Sequence, residues 1–483
     1  MRSYLLKVII VLTAMPAWLL AQNAEDAIRY SYTQMGGTAL SMGMGGASGA
    51  VGGDFTSAAI NPAGLGLYRQ SEWGISAGLA LAGSNSNYLG AENDNQKSNF
   101  NIPNLHLVLF TPNANRLKTK GWLGTTFSIG YTKLNNFAEA WKFRGDNANN
   151  SIVNSFVERS GNLAPEALDP FSTYLAYQTY LIDPNDSLGG YTSNNGPLNG
   201  GINQLGVCDR RGRAGETSIS FAGNYSNRLY VGGAFVIRRV VFKQDYNYTE
   251  EDRADTLSSF NNMTYSINQE DRATSVGFRL GAIYRVNDYF RLGGAVLLPL
   301  EYRVRTESTY EMTSALINGD NYYAVDHEYS YRLRQSPRFT ASGVFTYRKL
   351  GMISVDYEWV GYNRIRMVDD ADSFEAANND IREGLRNTGN LRLGAELRFN
   401  ELYARTGVQM LSTPFESDYF GKTRWNYSLG FGYRVREMYV DAAYVFATAK
   451  GPFQPYDLQS GNQPVAQITS RLNQLVLSVG TRF

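Results

Sequence analysis

Leu475-Val476-Leu477-Ser478-Val479-Gly480-Thr481-Arg482-Phe483 alternates apolar with small or polar residues and ends on an aromatic. A period of two with one apolar face is the pattern of a half-buried strand. The pattern recurs upstream. Trp425, Tyr427, Leu429, Phe431 and Tyr433 alternate with Asn426, Ser428, Gly430 and Gly432. Leu391, Leu393, Ala395, Leu397 and Phe399 alternate with Arg392, Gly394, Glu396 and Arg398, and Ile353, Val355, Tyr357 and Trp359 with Ser354, Asp356 and Glu358. If the apolar faces meet lipid, register is fixed, because the reverse choice puts carboxylates into hydrocarbon at a cost of kcal/mol for each. A terminal Phe on such a strand also has the form of the tag read by the outer-membrane barrel assembly machinery, an expected partner during biogenesis.

The amino-terminal end agrees. Met1-Arg2 and Lys7 form a positive region, Val8 to Leu20 an apolar run, and Ala21 a small residue before Gln22, so residues 1–21 read as a secretory signal. Beyond it no apolar stretch approaches the roughly 20 residues of a spanning helix, and the mean hydropathy is −0.32. The 33 Tyr and 48 Gly in 483 residues suit a sheet protein. The single cysteine, Cys208, offers no internal disulfide. A net charge of +1 predicts no nucleic-acid partner.

Very tight turns bracketed by aromatics organise the second half: Tyr225 to Tyr230, Tyr284 to Tyr289, Tyr347 to Gly351, Phe399 to Tyr403 and Tyr433 to Tyr439. Their aromatics read as one interfacial girdle. Between them lie long polar segments at 247–273, 306–335, 362–387, 412–423 and 449–470, which read as loops. The frame gives about fourteen strands, from Glu72–Ala82 through Pro103–Thr111 and Trp122–Lys133 to Leu472–Phe483. The expected fold is all-β, an antiparallel transmembrane barrel over 72–483. Barrels of this kind have short periplasmic turns and long outer loops, which puts both termini on the periplasmic side. Outer-membrane lipid and lipopolysaccharide are then expected to surround the wall.

Residues 22–71 do not read as strand. They hold Gly43-Met44-Gly45-Gly46-Ala47, Asp54, and Ala59-Ile60-Asn61-Pro62-Ala63-Gly64-Leu65. So small-residued a stretch cannot bury a core of its own, but it can pack closely inside a barrel as a plug. Ser76, Gly78 and Ala80, with Gly124, Thr126, Ser128 and Gly130, are small at lumen-facing positions and leave space for one.

This segment resembles the amino-terminal hatch of the FadL/TodX long-chain fatty acid and hydrocarbon transporters. Asn61-Pro62-Ala63 matches that family's hatch motif residue for residue. Asn390 to Glu396, Tyr403 to Gly407 and Ser412-Thr413-Pro414 are similar to its late strands. The resemblance implies passive uptake of hydrophobic compounds: capture by outer loops, a lumenal site beside the hatch, and lateral exit through a gap made by a kinked strand. Asn61, Pro62, Ala63 and Gly64 are then the hatch elements on the substrate path. The loop over 134–215 departs from the better-known members. Within it Pro165 to Asp183 fits a short amphipathic helix and Ser151 to Val157 another. Phe171, Tyr174, Leu175 and Tyr177 form a candidate outer capture groove; the other reading is a helix that merely covers the barrel mouth.

Arg279, Arg392 and Arg398 are expected to face the lumen, where a cation holds a carboxylate head group. The competing reading pairs them with Asp356, Glu358 and Glu396. Nothing in the sequence calls for an enzyme, a cofactor or a metal. Gly74-Ile75-Ser76-Ala77-Gly78 matches G-x-S-x-G but lies within a strand, whereas a nucleophile elbow needs a strand, turn and helix. His106 is expected to face the lumen and His327 to sit in an outer loop, neither at a metal spacing. Beside uptake of hydrophobic small molecules stand two other readings: a PorV-like component of protein secretion, and a surface receptor or adhesin.

Overall fold

The computed structural model describes residues 26–483 except 35, 116, 118, 186, 188, 195–200, 254–256, 258, 370–373, 418–421 and 460–462, so the signal segment lies outside the described residues. The wall consists of β1 (Glu72–Tyr88), β2 (Ala91–Pro112), β3 (Trp122–Asn136), β4 (Ile202–Tyr225), β5 (Leu229–Glu251), β6 (Phe260–Arg285), β7 (Phe290–Leu297 and Glu301–Leu316), β8 (Gly319–Arg334 and Arg338–Tyr347), β9 (Gly351–Gly361), β10 (Asn387–Phe399), β11 (Leu402–Leu411), β12 (Arg424–Val435), β13 (Met438–Phe453) and β14 (Ala466–Arg482). Each pairs antiparallel with its chain neighbour, and β14 pairs with β1 from Glu72↔Arg482 to Asn87↔Gln467, closing a fourteen-strand barrel. Closure pairs the first and last strands along their length, as hydrocarbon demands, because it offers no water to an unpaired backbone group.

The faces follow the alternation in the sequence. Leu429, Phe431, Leu397 and Ile353 are exposed, whereas Asn426, Ser428, Glu396 and Asp356 are buried on the lumen side. Leu429→Arg is therefore expected to destabilise the barrel by about 2–4 kcal/mol. Denaturant unfolding in detergent micelles or bilayers, compared with Leu429→Ala, measures this.

Three expectations need correction. The aromatics at the tight turns are not one girdle. Tyr225 pairs with Leu229, so both point outward, while Tyr230 pairs with Asn224 and is buried in the lumen. By the same parity Tyr439, paired with Arg434, points inward, and so does Tyr403, paired with Arg398. An aromatic one residue further round a turn changes face.

The polar segments 247–273 and 306–335 are mostly not loops but hairpins. β5 and β6 pair out to Glu251↔Asn262, and β7 and β8 to Leu316↔Gly319. Above the lipid a strand needs no apolar outer face, so its polar outer positions read as loop. The inward positions Tyr302, Val304 and Met312 are buried. β7 itself breaks at Leu298-Pro299-Leu300, because Pro299 has no N–H for the ladder. Its partner β8 breaks opposite, and Gln335 N donating to Leu300 O at 2.7 Å bridges the two breaks.

The segment 134–215 is not a single loop. Glu139–Asn147 forms a strand against the outer end of β4. Ile152–Ser160 is a helix capped by Ser151 and Asn154. The stretch 165–183 is not one helix: only Thr173–Gln178 is α-helical, after a 3-10 turn at Pro165–Ala167. Together with the upper ends of β5, β6 and β7 these elements pack Trp141, Phe143, Phe156, Leu175 and Tyr248 into an outer dome. Its polar knot is Glu250, whose carboxylate accepts from Ile152 N at 2.9 Å, Gln204 Nε2 at 2.9 Å and Tyr248 OH at 2.8 Å. Burial pushes the Glu250 carboxyl up, and these donors pull it the other way.

Candidate functional site: the hatch and the lumen

Residues 36–71 lie inside the barrel. Thr38 caps the short helix Ala39–Gly43 through Ser41 N, Ser57–Ile60 makes another turn, and Pro62–Leu67 is a 3-10 helix. Asn61 is fully buried and fixes the last of these. Its Oδ1 accepts from Ala63 N at 3.2 Å, and Pro62 occupies the first helical position, where a missing N–H costs nothing. Its Nδ2 donates to Gly49 O at 2.8 Å within the hatch and to Ala282 O on β6 at 3.2 Å. The wall is shaped for this approach: a Cβ on Gly281 would stand 2.0 Å from Asn61 Oδ1, and one on Gly232 2.5 Å from the Pro62 carbonyl.

Further ties run round the wall. Gly49 N donates to Asp356 Oδ2 at 2.9 Å, Ala39 N to Ser478 Oγ at 2.8 Å, Ser428 Oγ to Gly43 O at 3.1 Å, and Arg291 Nη1 to Val51 O at 2.6 Å. His106 faces the lumen, stacked on Phe55 of the hatch with ring centroids 4.8 Å apart. His327 lies on the outer half of β8. Ser76 is in mid-strand, hydrogen-bonded to Ser478 Oγ at 2.7 Å, far from the geometry of a nucleophile elbow.

The three lumen arginines singled out from the sequence are all engaged by acids. Arg279 holds Glu216 at 2.7 and 2.8 Å and Ala58 O at 2.7 Å. Arg392 meets Glu358 at 3.0 Å, with Arg338 on the same carboxylate at 3.1 Å. Arg398 meets Glu396 at 2.7 Å; Arg405 joins Glu396 at 2.7 Å to Asp441 at 2.6 Å. Nor do Phe171, Tyr174, Leu175 and Tyr177 line an open groove. Leu175 is fully buried, Phe171 packs on Tyr310 and His327, Tyr174 on Tyr323 and Tyr177 on Tyr191.

Arg424 and Lys133 also have no ion pair among the described residues. Arg424 opens β12 on the lumen side, its Nε donating to Asn426 Oδ1 at 3.2 Å. It lines a chamber of about 310 Å³ walled by Ile28, Tyr32, Phe137, Phe242, Phe415 and Leu472. A second chamber, about 320 Å³, adds Trp141, Phe453 and Ile468 and shares Ile28, Tyr32, Phe415 and Arg424. Lys133 is buried beside a smaller cavity of about 70 Å³ above the hatch, with Gln34, Ile60 and Leu297. The parity of Arg424 with Asn426 and Ser428 was readable from the sequence; that it lacks a carboxylate neighbour was not.

Beside these cavities the wall divides. Asn104↔Thr132 is the outermost pair between β2 and β3. From Pro103 outward β2 pairs only with β1, and Pro103 lies in a bulge of that ladder. β3 carries an extra residue at Leu134, whose carbonyl accepts from Gln34 N at 2.9 Å. The following strand passes behind β1, where Ser84 Oγ donates to Ala140 O at 2.8 Å and Ser86 Oγ to Lys142 O at 2.6 Å.

The closed barrel therefore holds a docked hatch in its lumen, with largely apolar chambers above it. No family model and no curated protein matches the chain. Among solved structures, a FadL homologue of Pseudomonas aeruginosa is similar at TM-score 0.58 and 14% identity, over 94% of this chain and 99% of that one. The toluene transporter TodX of Pseudomonas putida gives 0.52 and 12%, over 93% and 99%. The toluene transporter TbuX of Ralstonia pickettii gives 0.50 and 16%, over 93% and 98%. The fold is that of the FadL/TodX hydrophobic-compound transporters.

Proposed function

We propose that this protein sits in a bacterial outer membrane, termini periplasmic and tall hairpins outside, and takes up hydrophobic compounds with an acidic head, long-chain fatty acids foremost. The observation that carries the reading is the division of β2 from β3 beside largely apolar chambers that hold a guanidinium with no ion pair among the described residues. Each methylene moved from water to the chamber wall contributes about 0.8 kcal/mol. A carboxylate on Arg424 adds a charge-assisted hydrogen bond. From there the ligand passes Lys133 and leaves sideways between β2 and β3, so the hydrocarbon never crosses a water-filled pore. The hatch closes the direct route to the periplasm.

Uptake of labelled oleate by cells lacking other transporters tests this. Deleting Leu134 removes the bulge that turns β3 inward, and uptake is expected to fall to background in a correctly folded barrel. Arg424→Gln is expected to weaken oleate binding roughly ten- to hundredfold, the value of a hydrogen bond to a charged group, while oleyl alcohol binding changes little. Wild-type uptake in the deletion variant would dismiss the lateral route. Equal loss of acid and alcohol would dismiss Arg424 as the head-group site.

A further inference from the structure

Above the lipid-facing band, the outer surface of β4 to β8 carries a belt of arginine. The band itself is aromatic there: Phe221, Phe235 and Phe278 point outward, the last two with ring centroids 5.3 Å apart. Ile237 and Val276, cross-strand partners, form the next step outward. Beyond them, still on the outward face, come Arg213 on β4, Arg239 on β5, Arg272 on β6, Arg303 and Arg305 on β7 and Arg332 on β8. The register sets like charges against each other: Arg303 is directly opposite Arg332, and Arg305 directly opposite Arg272. Like charges directly opposite in a ladder repel, so such pairs weaken the sheet unless an anion bridges them.

The nearby acids answer only part of this charge. Arg272 reaches Glu270 at 2.7 Å, Arg305 reaches Glu307 at 3.1 Å and Glu328 at 2.9 Å, and Arg332 lies 3.6 Å from Glu301 on the lipid side. Arg213, Arg239 and Arg303 are exposed and make no ion pair or hydrogen bond among the described residues. The belt is also one-sided. Across the barrel, the same stretch of β13 and β14 carries only Lys450 and Arg471 outward, and β12 ends near Trp425.

We infer that this face binds a phosphorylated glycolipid of the outer leaflet, of lipid A type, with its phosphates between the facing arginines and its acyl chains on the phenylalanine ridge. Guanidinium forks match phosphate oxygens bidentately, and a phosphate between two arginines turns a repulsive pair into two attractive ones. Free phosphate would satisfy the charge but leave the adjoining ridge uncovered, which favours a lipid. The inference rests on the outward orientation of the hairpins proposed above and not on transport.

The test is native mass spectrometry of the full-length barrel after exchange into phosphatidylcholine nanodiscs with added bisphosphorylated lipid A. The wild type is expected to retain lipid A. The triple variant Arg213→Gln, Arg239→Gln, Arg303→Gln should lose it by roughly tenfold in affinity, and Lys450→Gln with Arg471→Gln should not. Heat-modifiable gel mobility reports folding, and Arg303→Gln alone serves if the triple variant fails to fold. Unchanged retention in the variant, equal retention of dephosphorylated lipid A, or full displacement by millimolar inorganic phosphate would each overturn the assignment. Loss of oleate uptake leaves it standing, whereas surface proteolysis that finds the hairpins periplasmic removes both proposals.

Discussion

Replacing Asn61 by alanine and Pro62 by glycine is expected to reduce oleate uptake to less than about a tenth of wild type, a change that needs only some 1.4 kcal/mol, while the barrel stays folded. Asn61 Nδ2 serves Gly49 O inside the hatch and Ala282 O on β6, and its Oδ1 holds Ala63 N. Removing the amide leaves buried backbone groups unpaired, at about 1–3 kcal/mol for each, and frees the 3-10 helix from the wall. The same phenotype is expected from the wall side. Gly281→Val puts a Cβ 2.0 Å from Asn61 Oδ1, so the hatch cannot dock there. Cells carrying either variant are assayed for labelled oleate, with heat-modifiable mobility as the folding control. Normal uptake in both, with normal folding, would show that docking of this motif does not gate the path.

The second large effect is on stability. Glu216 is buried between Arg238 at 2.8 Å and Arg279 at 2.7 Å, and Arg279 also carries the hatch through Ala58 O. Glu216→Ala leaves two buried guanidiniums without their anion, and breaking such a site costs about 3–5 kcal/mol. Urea unfolding in detergent is expected to show this loss. Glu216→Gln keeps an acceptor but not the charge, so it should fall between. Wild-type stability in the alanine variant would mean that water or the hatch carbonyls compensate the two cations.

The consequences for function differ. Asn61 and Gly281 concern where the hatch rests, and the effect is read in transport. Glu216 belongs to the wall around it, like Glu358 with Arg338 and Arg392, and Asp441 with Arg405. These carboxylates tie neighbouring strands across a lumen that has little apolar filling at that level. Arg279, Arg392 and Arg398 point inward, each held by a wall carboxylate. Arg424, by contrast, meets no acidic residue among the described residues, which is why the proposed head-group site is placed there.

What the sequence determined by itself is the wall: all fourteen strands, their faces and their closure follow from a period of two, from carboxylates that hydrocarbon excludes, and from turns too short to join anything but antiparallel neighbours. The strand ends were legible only on the side of the tight turns. On the other side the outward positions become polar once the strand leaves lipid, and the signal that marks a strand disappears while the strand continues to Glu251 or Leu316. Only the tertiary structure decided which arginines are paired, that Tyr230, Tyr403 and Tyr439 turn inward, and that β3 parts from β2 above Thr132. The physical reason is common to these cases. Alternation is a property of one strand and its solvent, whereas an ion pair, a turn parity or a missing ladder depends on the register between strands distant in sequence.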